Sequence, residues 1–189
     1  YKRKRNYRLH DVLVGMQFVQ SNSDHCLYTK DVSGDRIYIL EYVDDILAGS
    51  EKEAHTGKIL LFKKDFEMTE LRELNYFLGV EVHRQNGNYS TSVESYIERV
   101  VRIGLHDAKI AKSPMEEAFA KIETERIPLK DSSTYRSLVE AHLYIAMCAR
   151  PDIAVCTSLL GRRLASPTEA DWAAKRIVHY LKGTKHWRL

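Results

Sequence analysis

The chain has 189 residues, of which 44% are hydrophobic and 29% charged, with a formal net charge of +3. That length supports one large domain or two small ones with real cores, and the composition is that of a globular protein, not a fibrous or disordered one. No apolar run approaches the ~20 residues that span a bilayer, and the basic start has no apolar stretch behind it, so neither a membrane span nor a secretory signal is expected.

The charge is unevenly placed. Lys2, Arg3, Lys4 and Arg5 form one basic cluster, and Lys175, Arg176, Lys182, Lys185 and Arg188 form a second. Such clusters can meet phosphate backbones, but as a rule they are solvated faces. Cys26, Cys148 and Cys156 are odd in number, far apart and without a CxxC pair, so a disulfide framework or zinc site is not expected and an intracellular, reducing location is.

In chain order, Leu9, Val12, Leu13 and Met16 fall at helical spacing and predict a short amphipathic helix over 7–16. Strands are expected at 26–30, 36–41 and 46–48, the first two joined by the turn residues "DVSGD". From Glu51, Ile59, Phe62 and Phe66 line one face of a helix. "LNYFLGVEVHRQNGNYSTS" reads as a hairpin with "NGN" at its turn, and Thr91 with Glu94 as a capping box ahead of a further helix. The polar stretch 113–131, with Pro114, Pro128, Glu116 and Glu117, reads as an acidic connector. Three helices follow: a stripe from Tyr135 to Ala146, a second helix after "RPD", and a third opened by "SPTE", with Ser166 as cap and Glu169 as its partner. The fold class is therefore α+β, divided into 1–112, the connector 113–131 and a helical region 132–189.

Within the strand region, "YILEYVDDILAGS" sets Asp44 and Asp45 side by side between apolar residues. Adjacent carboxylates at a tight reversal suit Mg²⁺, which takes oxygen ligands and usually binds one or two carboxylates plus substrate phosphates. A two-metal site would need a third carboxylate from elsewhere. Solvated turn aspartates are the plainer alternative. The apolar residues on both sides, Tyr42 and Val43 before and Ile46 to Ala48 after, imply that something packs around the acidic tip. A hydrolase built on the same pair is a weaker reading, because His10, His25, His55, His83, His106, His142, His179 and His186 are scattered with no i, i+4 pair.

"YVDDILAGS" resembles the polymerase motif of reverse transcriptases. "FVQSNSDHCLYTK", "FEMTELRELNYFLGVEV", "YRSLV", "YIAMCARPDI" and "YLKGT" are similar, in the same order, to blocks of the copia-type retrotransposon enzymes. The resemblance implies a partial polymerase palm followed by a helical thumb and connection region, and an RNA-directed DNA polymerase using two Mg²⁺. By match, Asp44 and Asp45 are the catalytic metal-binding carboxylates. Tyr42 and Val43 lie at the primer terminus and incoming nucleotide, and Phe77, Leu78 and Gly79 form a primer-grip hairpin. The implied partners are an RNA/DNA template-primer and a deoxynucleoside triphosphate.

The match also departs from the family pattern. The upstream aspartate and the fingers have no counterpart here, so the 189 residues are expected to be inactive alone and to self-associate through an uncovered sheet edge. Gln17, Arg72 and Glu140 stand where the family has glycine, and Arg5 where it has an aromatic. A non-catalytic, degenerate transposon remnant, at most binding nucleic acid, is the alternative.

Overall fold

A computed structural model describes residues 2–43, 45–52, 55, 66, 69, 73–102, 109–116 and 127–189. They fall into two compact units, Tyr1–Glu70 and Leu71–Leu189. The α+β class expected from the sequence is present. The division comes at 70/71, whereas the sequence reading set its boundary at the acidic connector. Described parts of that connector are tied to the segment after it: Leu129 N–H donates to the Pro167 carbonyl, and Glu116 pairs with Arg176 at 2.8 Å.

In the first unit, α1 (Lys2–Gly15) precedes an antiparallel sheet of β1 (Val19–Gln20), β2 (Leu27–Val32), β3 (Asp35–Tyr42) and β4 (Asp45–Gly49), in that order. The helix is longer than its apolar stripe suggested, but the stripe works as expected, with Leu9 and Leu13 buried against Phe18, Tyr28, Ile37 and Ile39. The end of α1 is a Schellman motif: Phe18 N–H reaches the Leu13 carbonyl and Gln17 N–H that of Val14, both at 2.9 Å. Its left-handed position is Gln17, at φ +67°. Of the three non-glycines noted above, this one occupies backbone that favours glycine; Glu140 lies on an exposed helical face, and Arg72 is outside the described residues. Of the helix expected from Glu51, only Glu51, Lys52, His55 and Phe66 lie among the described residues. His55 Nδ1 lies 2.6 Å from the buried Asp35 carboxylate, and Phe66 sits under the Arg8 guanidinium.

The second unit begins with a three-stranded sheet, β5 (Tyr76–Phe77), β6 (Val80–Gln85) and β7 (Asn88–Ser92). Then come α2 (Glu94–Arg102), α3 (Ser132–Cys148), α4 (Ala154–Gly161) and α5 (Ala174–Thr184), with single 3₁₀ turns at Pro151–Ile153 and Glu169–Ala173. Val93, Ile97, Tyr135, Val139, Ile145, Leu160, Ile177 and Leu181 form the core between the helices.

Two expected caps lie elsewhere. Thr91 is a β7 residue, whose N–H and C=O pair with Leu189, and Ser95 N–H at the start of α2 is accepted by Glu81 from the neighbouring strand. The capping box before the last helix is Thr168 with Asp171, because 166–168 is drawn into extended pairing with the connector through a Pro128–Thr168 bridge. At the start of α3, Asp131 accepts from Ser133 and Thr134, which hold its carboxyl down at about 2. His142 on α3 is fully buried, and neither ring nitrogen has a hydrogen-bond partner among the described residues.

The blocks "CARPDI" and "YLKGT" meet in space. The buried Arg150 guanidinium grips Asp152 through two hydrogen bonds and Thr184 through two more, between the rings of Tyr180 and Trp187. Nothing in their spacing signals this, since i and i+34 share no local period.

Candidate active-site hairpin

Strands β3 and β4 pair with Tyr42 opposite Asp45, leaving Val43 and Asp44 as a two-residue connection. Asp44 is outside the described residues. Two-residue hairpin loops need positive φ at their first residue when they follow the twist of the strands, and glycine or asparagine meets that need at least strain. Among the described residues three other hairpins do the same: Ser33–Gly34 at +53° and +79°, Leu78–Gly79 at +51° and +90°, and Asn86–Gly87 at +52° and +81°. Each ends in glycine. At the β3–β4 turn, the first residue is the β-branched Val43 at φ +57°, and glycine's place is taken by Asp44. A β-branched residue is a true outlier there. This turn departs from the chemistry that the other three obey, and it departs at the acidic pair.

The register decides which way the site faces. Ile37, Ile39 and Glu41 alternate inward on β3, with Arg36, Tyr38 and Tyr42 outward. Directly opposed residues share a face, so Asp45 stands with Tyr42 on the outward side, above the cross-strand pair Leu40 and Leu47. Tyr42 and Val43 are about half exposed, and Asp45 is exposed. The tip is thus an open carboxylate flanked by an aromatic ring and an aliphatic side chain.

Tyr42 and Val43 also line a cleft of about 560 Å³. Within its lining, Gln20 Nε2 donates to the Tyr28 hydroxyl at 3.1 Å, and His10 Nδ1 lies 3.1 Å from the same oxygen. These bonds fasten α1, β1 and β2 beneath the turn. Cys26 also lines the cleft, and burial, then Asp24 and Glu41, pushes its thiol up, which disfavours a thiolate nucleophile.

Asp45 offers the hard oxygen donors that a divalent cation takes, and Asp44 adjoins it in sequence. Among the described residues no group of three or more His, Cys, Asp or Glu side chains is placed to hold a metal ion. The donor chemistry fits; the described donors alone are too few for a closed site.

In the second unit, Phe77, Leu78 and Gly79 form the β5–β6 turn, with Phe77 paired to Val80. The Tyr144 hydroxyl donates to the Leu78 carbonyl, and a Cβ on Gly79 would run into that hydroxyl. Phe77 is half-buried, while Tyr76 and Leu78 are exposed. The carboxyl-terminal basic cluster is largely engaged within the chain: Arg176 with Glu116, Lys185 with Glu94 and Glu98, and Lys175 over the Trp172 ring.

Residues 2–117 match the reverse transcriptase (RNA-dependent DNA polymerase) family. The chain belongs to this family. It is 29% identical over 95% of its length to a putative transposon Ty5-1 protein of Saccharomyces cerevisiae, of which it spans 60%. It is 32% identical over 97% of its length to the retrovirus-related Pol polyprotein from transposon RE1 of Arabidopsis thaliana, and 31% over 88% to that from transposon TNT 1-94 of Nicotiana tabacum. It spans only 12% and 14% of those two polyproteins. These relatives are the copia-type Pol proteins whose sequence blocks the chain resembles. No solved structure matches it.

Proposed function

We propose that the chain is the carboxyl-terminal palm, primer-grip hairpin and thumb part of an RNA-directed DNA polymerase, and that the β3–β4 turn is its catalytic edge. One observation carries the reading: a strained two-residue turn in a reverse transcriptase family member holds an exposed carboxylate, Asp45, where the other two-residue turns among the described residues end in glycine. In this reading Asp44 and Asp45 hold Mg²⁺. The metal's role is to polarise phosphate oxygens and stabilise the charge on attacking and leaving oxygens. Tyr42 and Val43 bound the primer terminus and the incoming deoxynucleotide, and the Phe77–Gly79 turn bears on the primer strand of an RNA/DNA template-primer.

Two neighbouring carboxylates do not close a two-metal site, and in this reading the 189 residues alone do not extend a primer. Strand β4 pairs only with β3 among the described residues, which leaves it an edge that takes up another strand. Concentration-dependent self-association and an intracellular location belong to the same reading.

Primer extension on an RNA template with Mg²⁺ is expected to give no incorporation by this chain, and Asp45-dependent synthesis would contradict the inactivity. Mn²⁺, used as a paramagnetic stand-in for Mg²⁺, is expected to broaden the amide resonances of 42–46 weakly, and Asp45→Asn to abolish the effect. Broadening elsewhere, or none, would remove the metal role. A degenerate remnant with no nucleic-acid contact would give neither metal broadening nor binding to an RNA/DNA duplex.

A further inference from the structure

The Leu78–Gly79 turn has a feature that its strands do not require. Its first residue is leucine at φ +51°, whereas Asn86 at the equivalent position of the next hairpin tolerates the left-handed region. Left to itself, a Leu-Gly connection is a poorer turn than an Asn-Gly one. Something outside the hairpin therefore has to favour this geometry.

Tyr144, 66 positions from Leu78, supplies it. Its hydroxyl donates to the Leu78 carbonyl, the acceptor that the turn itself exposes. Gly79 is glycine on two counts, its φ of +90° and the absence of room for a Cβ beside that hydroxyl. The Tyr144 ring is held independently, 4.6 Å from that of Tyr96, over which Arg99 lies at 5.0 Å. Packing of the ring and the grip of the hydroxyl are thus separable. Burial, then the neighbouring Cys148, pushes the phenol above its ordinary range, so it remains a donor at neutral pH.

We infer that Tyr144 is a positioning residue: it clamps the Leu78 carbonyl so that the turn presents Tyr76 and Leu78 to a primer–template duplex in one fixed orientation. The inference rests on the primer-grip reading above and adds to it the residue that holds the grip.

The test compares the chain with its Tyr144→Phe variant, which keeps the ring and removes only the donor. Amide hydrogen exchange over 76–82 is expected to speed up about tenfold, the worth of one hydrogen bond, with exchange in the middle of α3 unchanged. Affinity for an RNA/DNA hybrid duplex, read by fluorescence anisotropy, is expected to fall about tenfold. Leu78→Asn suits the positive φ unaided and is expected to restore slow hairpin exchange in the Tyr144→Phe background. Unchanged hairpin exchange, no rescue by Leu78→Asn, or faster exchange with unaltered duplex affinity would each overturn the role of Tyr144. A wild-type chain that binds no duplex overturns the primer-grip reading itself, and the role with it, whereas a binding wild type with an unaffected variant overturns Tyr144 alone.

Discussion

Arg150 and Thr184 stand 34 positions apart, yet the guanidinium of the first donates to both the carbonyl oxygen (2.9 Å) and the hydroxyl (2.7 Å) of the second. Two further N–H groups go to Asp152, so four of the five donors of a side chain that is 2% exposed are paired. Burial alone would raise the Asp152 carboxyl, but hydrogen bonds from Arg150 and Tyr180 outweigh it and hold the group below the usual range. This arrangement closes the end of α5 onto the turn after α3. Arg150→Ala leaves Asp152 and the Thr184 carbonyl without their cation and is expected to cost about 3–5 kcal/mol in urea unfolding. Arg150→Lys retains the charge but not the fork, and most of that loss is expected to persist.

Gln17 offers a change in the opposite direction. Its Cβ opposes the left-handed geometry that the end of α1 requires, a strain of about 1–2 kcal/mol, of which the extra unfolded-state freedom of glycine takes back about 0.5–1. Gln17→Gly is therefore expected to stabilise the first unit by about 0.5–1 kcal/mol, measured by thermal or urea unfolding. Destabilisation would show that the glutamine side chain makes a compensating contact.

His142 couples stability to pH. Burial lowers its pKa from the ordinary 6.5 to about 3, so the unfolded chain binds a proton that the folded chain refuses. The neutral folded form has its full stability above pH ~6.5 and loses about 1.4 kcal/mol per pH unit as pH falls from there towards 3. Urea unfolding between pH 7.5 and 5 is expected to show that slope, and His142→Leu to flatten it while stabilising the protein at the acid end. An unchanged slope in the variant would place the titrating group elsewhere.

Much of this architecture was legible in the sequence because it is local. The helical stripe of Leu9 and Leu13, the "SG" and "NG" turns and the α3 stripe from Tyr135 each state their period or turn type within a few residues. What was not legible is what distant segments do to one another. The capping box moved from Ser166 to Thr168 because the connector pairs with that stretch, and Glu81 reaches Ser95 only because a sheet brings β6 beside the start of α2. The reversal at the acidic pair was legible as a turn between strands, and its two-residue length follows from the Tyr42–Asp45 register. The positive φ at Val43 could not be foreseen, since a β-branched residue argues against it. Nor could the partner of Gly79, which is a tyrosine from another sequence block.

Val43 itself can be relieved. Val43→Gly removes a β-branched Cβ from φ +57° and is expected to raise the stability of the first unit by about 1 kcal/mol in thermal unfolding. In the catalytic reading the same change removes the aliphatic wall beside the primer terminus. A variant that is more stable but binds nucleotide and primer less selectively is the expected outcome. A loss of stability would mean that the valine's packing outweighs its backbone cost.

The contrast among the four hairpin turns also bears on the order in which the chain folds. The Ser33–Gly34 and Asn86–Gly87 connections can close early, because their turn residues suit the positive φ without tertiary help. The Val43–Asp44 connection closes against strain at Val43, so its strands gain little from meeting before the β2–β3 pair and α1 have built a surface for Ile39 and Ile46 to join. The β3–β4 edge is then the last part of its sheet to form and the first to open. Kinetically, substitutions at Ile46 should speed unfolding and leave refolding almost untouched, whereas substitutions at Ile37 should slow refolding.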